Sequence, residues 1–174
     1  MHISLIGYMG SGKSTVGKEL AHQLNREFVD LDQFIENQHE KTIEEIFSQD
    51  GEIKFRKYER ESLKKLLSSE RNLVISLGGG TPAYYDNMQL INEHSYSVYL
   101  RMTPKELIKR LENEKSMRPL LSHLSDEELP EFIAKHLFER RNYYEEAQFI
   151  LDVKEKSPQE IAEEIIPNLP PLRK

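Results

Sequence analysis

The chain has 174 residues, 37% hydrophobic and 31% charged, with no cysteine and a formal charge of −6. That length suits one α/β domain, and the missing thiols exclude disulfides, thiol catalysis and zinc–thiolate sites. No apolar stretch approaches the roughly 18 residues of a membrane span, and a pI near 5.6 argues against general nucleic-acid binding, so neither membrane nor nucleic acid is an expected partner.

Residues 2–6 are an apolar run that predicts a buried strand, so no basic-then-apolar leader is expected ahead of it. Directly after it stands Gly7-Tyr8-Met9-Gly10-Ser11-Gly12-Lys13-Ser14, the G-x-x-x-x-G-K-[ST] phosphate-binding pattern. Glycines free backbone N–H groups to face a polyphosphate, and the N-terminus of the following helix adds partial positive charge. Lys13 can reach the β- and γ-phosphates, and Ser14 can offer its hydroxyl to Mg²⁺. A glycine-rich turn with a surface lysine is the bland alternative; the strand–loop–helix setting favours nucleoside triphosphate binding.

The first helix is predicted over 13–24, with Val16, Leu20, Ala21 and Leu24 on one face. Short β-branched or aromatic runs at 27–31, 72–77, 96–100 and 149–153 give four more strands. Five strands alternating with helices predict a parallel sheet covered on both sides, a three-layer α/β architecture. Capping boxes mark helix starts at Thr42/Glu45, Thr103/Glu106, Ser125/Glu128 and Ser157/Glu160. The segment 112–124 lacks strand character and carries Arg118, which predicts a lid. The proline-rich end should fray.

A phosphate-loop enzyme needs a carboxylate near its metal, usually at a neighbouring strand end. Asp30 and Asp32 are the candidates, with Asp152 a minor competitor. Two apart, they project to the same side while the chain stays extended: one can serve the metal shell, the other an acceptor hydroxyl. The alternative is that Asp32 merely caps the next helix. Arg56 and Arg140 would each ordinarily be solvated helix positions, although an anionic co-substrate would give both a role. Gly78-Gly79-Gly80 follows the third strand at the sheet edge where ligands bind in such folds. The six histidines show no metal-ligand spacing.

Taken in order, these markers resemble the shikimate kinase family from about residue 3 to 165. They are the loop ending Gly10-Ser11-Gly12-Lys13-Ser14-Thr15, Asp30-Leu31-Asp32, Gly51-Glu52 with Phe55-Arg56 and Glu59, the triple glycine, Arg118-Pro119-Leu120-Leu121, and Arg140 four before Tyr144. The resemblance implies a P-loop kinase fold and transfer of the ATP γ-phosphate to the 3-hydroxyl of shikimate, a step toward chorismate and the aromatic amino acids. It implies ATP on Gly10, Ser11, Gly12, Lys13, Ser14 and Thr15, with Mg²⁺ near Ser14 and Asp30 in the outer metal shell. Asp32 would meet the hydroxyl, as an ordinary carboxylate of pKa about 3.9. Arg56 and Arg140 would grip the shikimate carboxylate beside Gly78, Gly79 and Gly80. Arg118 would enter from the lid onto the transferring phosphate, so that Lys13, Asp32 and Arg118 form the catalytic set; Arg110 would lie near adenine.

The implied organisation is one domain over 1–174, with a substrate-binding helical region at about 32–62, a lid at about 112–125 and a frayed tail from about 168. A cytoplasmic monomer is expected. Where family members often have Val-Asp-Thr, this chain has Leu151-Asp152-Val153-Lys154, which leaves adenine contacts there open. The alternatives are a gluconate-type or nucleoside monophosphate kinase, or a non-catalytic nucleotide-binding relative. The last would be expected to lose Lys13, Asp32 or Arg118, and all three are present.

Overall fold

Strands β1 (His2–Ile6), β2 (Phe28–Asp30), β3 (Val74–Ser76), β4 (Ser95–Arg101) and β5 (Phe149–Asp152) pair in parallel in the order β2-β3-β1-β4-β5. The protein is described here by a computed structural model covering residues 1–114 and 119–171. From central β1 the chain builds β2 and β3 on one side, then β4 and β5 on the other. The loop after β1 therefore sits where the crossovers diverge, the place at which open α/β sheets bind ligands. Every β1 residue is buried, as a strand covered on both faces must be. Its two polar residues are both hydrogen-bonded: His2 Nδ1 accepts from Leu73 N (3.3 Å), and Ser4 Oγ accepts from Ser95 Oγ (2.7 Å).

Around the sheet lie α1 (Lys13–Gln23), α2 (Leu31–His39), α3 (Ile43–Asp50), α4 (Glu52–Leu67), α5 (Asn87–His94), α6 (Pro104–Glu112), α7 (Pro119–Ser122), α8 (Glu128–Glu145) and α9 (Pro158–Ile165). Helix α1 packs on α9, α6 on α8, and α2, α3 and α4 on one another. Leu5, Ile75, Val98, Leu20 and Ile161 belong to the shared apolar core. The capping boxes at Thr42, Thr103 and Ser157 form as expected. At Ser125 the same reciprocal bonds exist, Glu128 N to Ser125 Oγ (3.2 Å) and Ser125 N to Glu128 Oε2 (2.8 Å), but they close a turn ahead of α8 rather than start it.

The end of β2 differs from the sequence expectation. Strand β2 stops at Asp30, because the Asp30 carboxylate accepts from the backbone N–H of Asp32 (3.1 Å) and Gln33 (3.4 Å) and turns the chain into α2. Asp30, not Asp32, is thus the helix cap, and the two are not on one extended strand. At the other end of the chain a 3₁₀ turn spans Ile166–Asn168, Asn168 Nδ2 donates to Glu164 O (2.9 Å), and Leu169 is half-buried on the core. Arg118 and the expected lid's residues 115–117 lie outside the described residues, as does 172–174.

Candidate active site

The loop between β1 and α1 is shaped by left-handed backbone at Gly10 (φ 79°) and Gly12 (φ 89°), a conformation that costs glycine little. Gly12 is the residue preceding α1 and offers no side-chain cap, so the first N–H groups of α1 are left for an anion. Lys13 is buried, its ammonium donating to the carbonyls of Gly7 (2.8 Å) and Tyr8 (3.0 Å) at the loop floor. Ser11 is also buried; its N–H donates to Tyr8 O (3.2 Å), and it does not line the cavity described next.

A cavity of about 800 Å³ opens over this loop. It is lined by Gly10, Gly12, Lys13, Ser14 and Thr15 of the loop and α1, by Asp30, Asp32, Ser76, Gly78 and Gly79 from the strand ends, and by Lys109, Arg110, Lys154 and Glu155. Arg110 reaches the loop itself, its Nη1 donating to Gly10 O at 3.2 Å. Ser14 Oγ donates to Asp30 Oδ2 (2.7 Å) and lies 3.3 Å from Ser76 Oγ. These neutral and anionic oxygens suit a hard cation. Among the described residues no group of three or more His, Asp or Glu forms a ready cage, so a cation held here would lean on phosphate oxygens, as Mg²⁺ commonly does.

Asp32 does not have the ordinary carboxylate affinity expected from sequence. Its pKa is pushed up to about 6, first by burial and then by the negative charges of Asp30 and Glu59, against the opposing pull of Lys13 and Arg56. A close approach fixes its setting. A Cβ at Gly78 would stand 3.1 Å from Asp32 Oδ1, 2.9 Å from Thr81 Oγ1 and 3.2 Å from Glu59 Oε1, so a side chain there would have to push these groups apart.

Arg56 and Arg140 do not line this cavity; they lie on the far side of the triple glycine. Arg56 is buried, not solvated, and sits 2.9 Å from where a Gly80 Cβ would be. Arg140 lies 3.7 Å from the corresponding point at Gly79 and over the Tyr8 ring at 5.8 Å. The Tyr144 hydroxyl, one turn on, donates to Gly79 O. Arg56 Nη1 donates to Glu59 Oε2 (2.9 Å), whose other oxygen accepts from Thr81 Oγ1 (2.6 Å). The two arginines therefore flank the backbone of residues 78–80 from α4 and α8. Asp152 pairs with Arg101 across β4 and β5 (2.7 and 2.8 Å) and is absent from the cavity, a structural contact at the sheet edge. Ser76, Glu59 and Tyr84 carry no motif signal of their own that marks them as site residues; Glu59 was legible only as a member of the ordered marker set.

The family model for shikimate kinase matches residues 9–170. The chain belongs to the shikimate kinase family. A shikimate kinase of Flavobacterium psychrophilum is 44% identical over 164 residues, covering 94% of this chain and 95% of that protein. Among solved structures, the shikimate kinase of Bacteroides thetaiotaomicron superposes with a TM-score of 0.89 at 38% identity, over 97% of both chains. The Acinetobacter baumannii shikimate kinase, solved in complex with shikimate, gives 0.86 at 33% identity, over 95% of this chain and 90% of that one. A Sinorhizobium meliloti gluconokinase at 19% identity and TM-score 0.57 shares the fold alone. Membership in the shikimate kinase family makes the chain an ATP-dependent phosphotransferase built on the P-loop kinase fold.

Proposed function

We propose that this chain transfers the γ-phosphate of ATP to the 3-hydroxyl of shikimate, giving shikimate 3-phosphate and ADP, with Asp32 meeting the hydroxyl and Arg56 and Arg140 holding the carboxylate. The observation that carries the reading is the convergence of a phosphate loop, a buried aspartate of raised proton affinity and two guanidinium groups around residues 78–80. A nucleoside monophosphate acceptor would present a phosphate oxygen and leave Asp32 no proton to accept.

In this reading the loop amides of residues 10–15 and the Lys13 ammonium gather the triphosphate, with Arg110 bordering the nucleotide from α6. Ser14 and Asp30 would hold Mg²⁺, which supplies charge neutralisation on the phosphate oxygens when bound. Phosphoryl transfer has a loose transition state, so positioning and electrostatics supply most of the acceleration. Asp32 orients the attacking oxygen and takes its proton. With a pKa of about 6 it is about nine-tenths ionised at pH 7, and it holds a proton more tightly than an ordinary aspartate. Arg118, assigned by the family resemblance, would add positive charge to the transferring group. Residues 32–62 form the substrate-binding region of a single domain.

A coupled ADP-release assay with shikimate, gluconate and nucleoside monophosphates as acceptors tests the reading. Turnover with shikimate alone is expected; equal or greater turnover with another acceptor would overturn it.

A further inference from the structure

Arg56 already holds two carboxylates, and they are unlike. Glu59 is 1% exposed and locked by Thr81. Glu52 has half of its side chain in solvent (53%), and its Oε1 accepts from Arg56 Nη2 at 3.3 Å, long for a charged hydrogen bond. The same oxygen accepts a far shorter bond, 2.6 Å, from the Tyr84 hydroxyl. The Tyr84 ring lies 3.8 Å from the Arg56 guanidinium. One tyrosine thus stacks on the cation and tethers the carboxylate beside it. Among the described residues Arg56 Nε is buried with no hydrogen-bond partner, so the guanidinium fork is only partly used. The Tyr84 hydrogen bond first, and then the charges of Arg56 and Arg140, hold the Glu52 carboxyl below its usual proton affinity.

We propose that Glu52, tethered by Tyr84, is the resting occupant of the acceptor-carboxylate subsite and is displaced by the carboxylate of the incoming acceptor, with Tyr84 the positioning residue that keeps the Arg56 plane fixed during the exchange. The inference rests on the reading of Arg56 and Arg140 as the carboxylate grip. Exchange replaces one long contact by the two parallel bonds a planar carboxylate can accept from a guanidinium. An alcohol lacking a carboxylate has nothing to offer in return, so Glu52 also acts as a specificity filter.

Steady-state kinetics with shikimate and ATP, on the full chain, test this. Glu52→Gln should lower the shikimate KM about two- to fivefold, the scale of one exposed ion pair removed from competition, with kcat moving less than KM. Tyr84→Phe keeps the ring and drops the tether, so KM should fall in the same direction by a smaller factor. Tyr84→Leu removes the stack, and KM should rise about three- to tenfold. Opposite signs from one position are not what a merely structural role gives. A shikimate KM that rises or stays constant in Glu52→Gln, or in Tyr84→Phe should the first variant not fold, would overturn the proposal and make Glu52 a support for Arg56. Absence of shikimate phosphorylation by the wild-type chain would instead remove the underlying reading, and this proposal with it.

Discussion

Replacing Asp32 by Asn should remove most turnover and stabilise the fold at once. The carboxyl titrates at about 6 in the folded chain against 3.8 ordinarily, and each tenfold change in proton affinity corresponds to about 1.4 kcal/mol. Ionised Asp32 therefore costs the folded state about 3 kcal/mol at pH 7. Because the folded pKa is raised, the folded protein binds more protons than the unfolded chain between about pH 4 and 6, and stability falls as pH rises through that window. Asn carries no such charge. Allowing for imperfect amide hydrogen bonding, Asp32→Asn should gain about 1–3 kcal/mol at pH 7, or roughly 3–10 °C in Tm for a chain of this size. The gain should shrink toward zero near pH 4, where wild-type Asp32 is also neutral. Thermal unfolding by circular dichroism from pH 4 to 7.5 measures this, alongside kcat, which should drop at least about 100-fold, and ATP affinity, which should hold. A variant no more stable than wild type at pH 7, or a gain independent of pH, would refute the electrostatic argument.

Arg56→Ala should raise the shikimate KM well over tenfold while leaving the ATP KM nearly unchanged, since a grip made in ground and transition states alike acts on KM; a selective rise in ATP KM would contradict the assignment. Arg118→Ala should cost kcat about 10³-fold or more, the scale of an arginine finger, and a loss under about tenfold in single-turnover measurements would remove it from the mechanism. Gly17→Ala should destabilise by about 1–3 kcal/mol in denaturant titration, although alanine normally favours a helix by about 1 kcal/mol. The reason is that a Cβ there would stand 2.5 Å from the Phe28 ring and 3.2 Å from Leu5.

What the sequence disclosed was what is local. The phosphate loop, the three capping boxes that start helices and the five strands are written in residues within a few positions of one another, and each appears in the fold. Asp30 and Asp32 were found by a premise the structure corrects: the chain is not extended between them, yet a helix cap at Asp30 still leaves both facing one cavity. The raised affinity of Asp32 was only partly open to sequence: the largest cause is burial, and although Asp30 is two residues away, a further cause is Glu59, 27 positions away on α4. Arg56 looked like a solvated helix position for the same reason. Its burial depends on Tyr84 and on the closeness of Gly80, which only the assembled α4 and the turn after β3 supply. Ser76 ends a three-residue strand and becomes informative only when β3 lies beside β1 and β2.

If Asp32 and the two arginines fix one hydroxyl of one acceptor at the phosphate loop, only one positional ester can form. Phosphorus-31 and proton NMR of the product formed from shikimate and ATP tests it most directly. A single phosphate coupled to the proton at carbon 3 is the predicted result. A mixture of positional phosphates, or free phosphate in place of an ester, would contradict it.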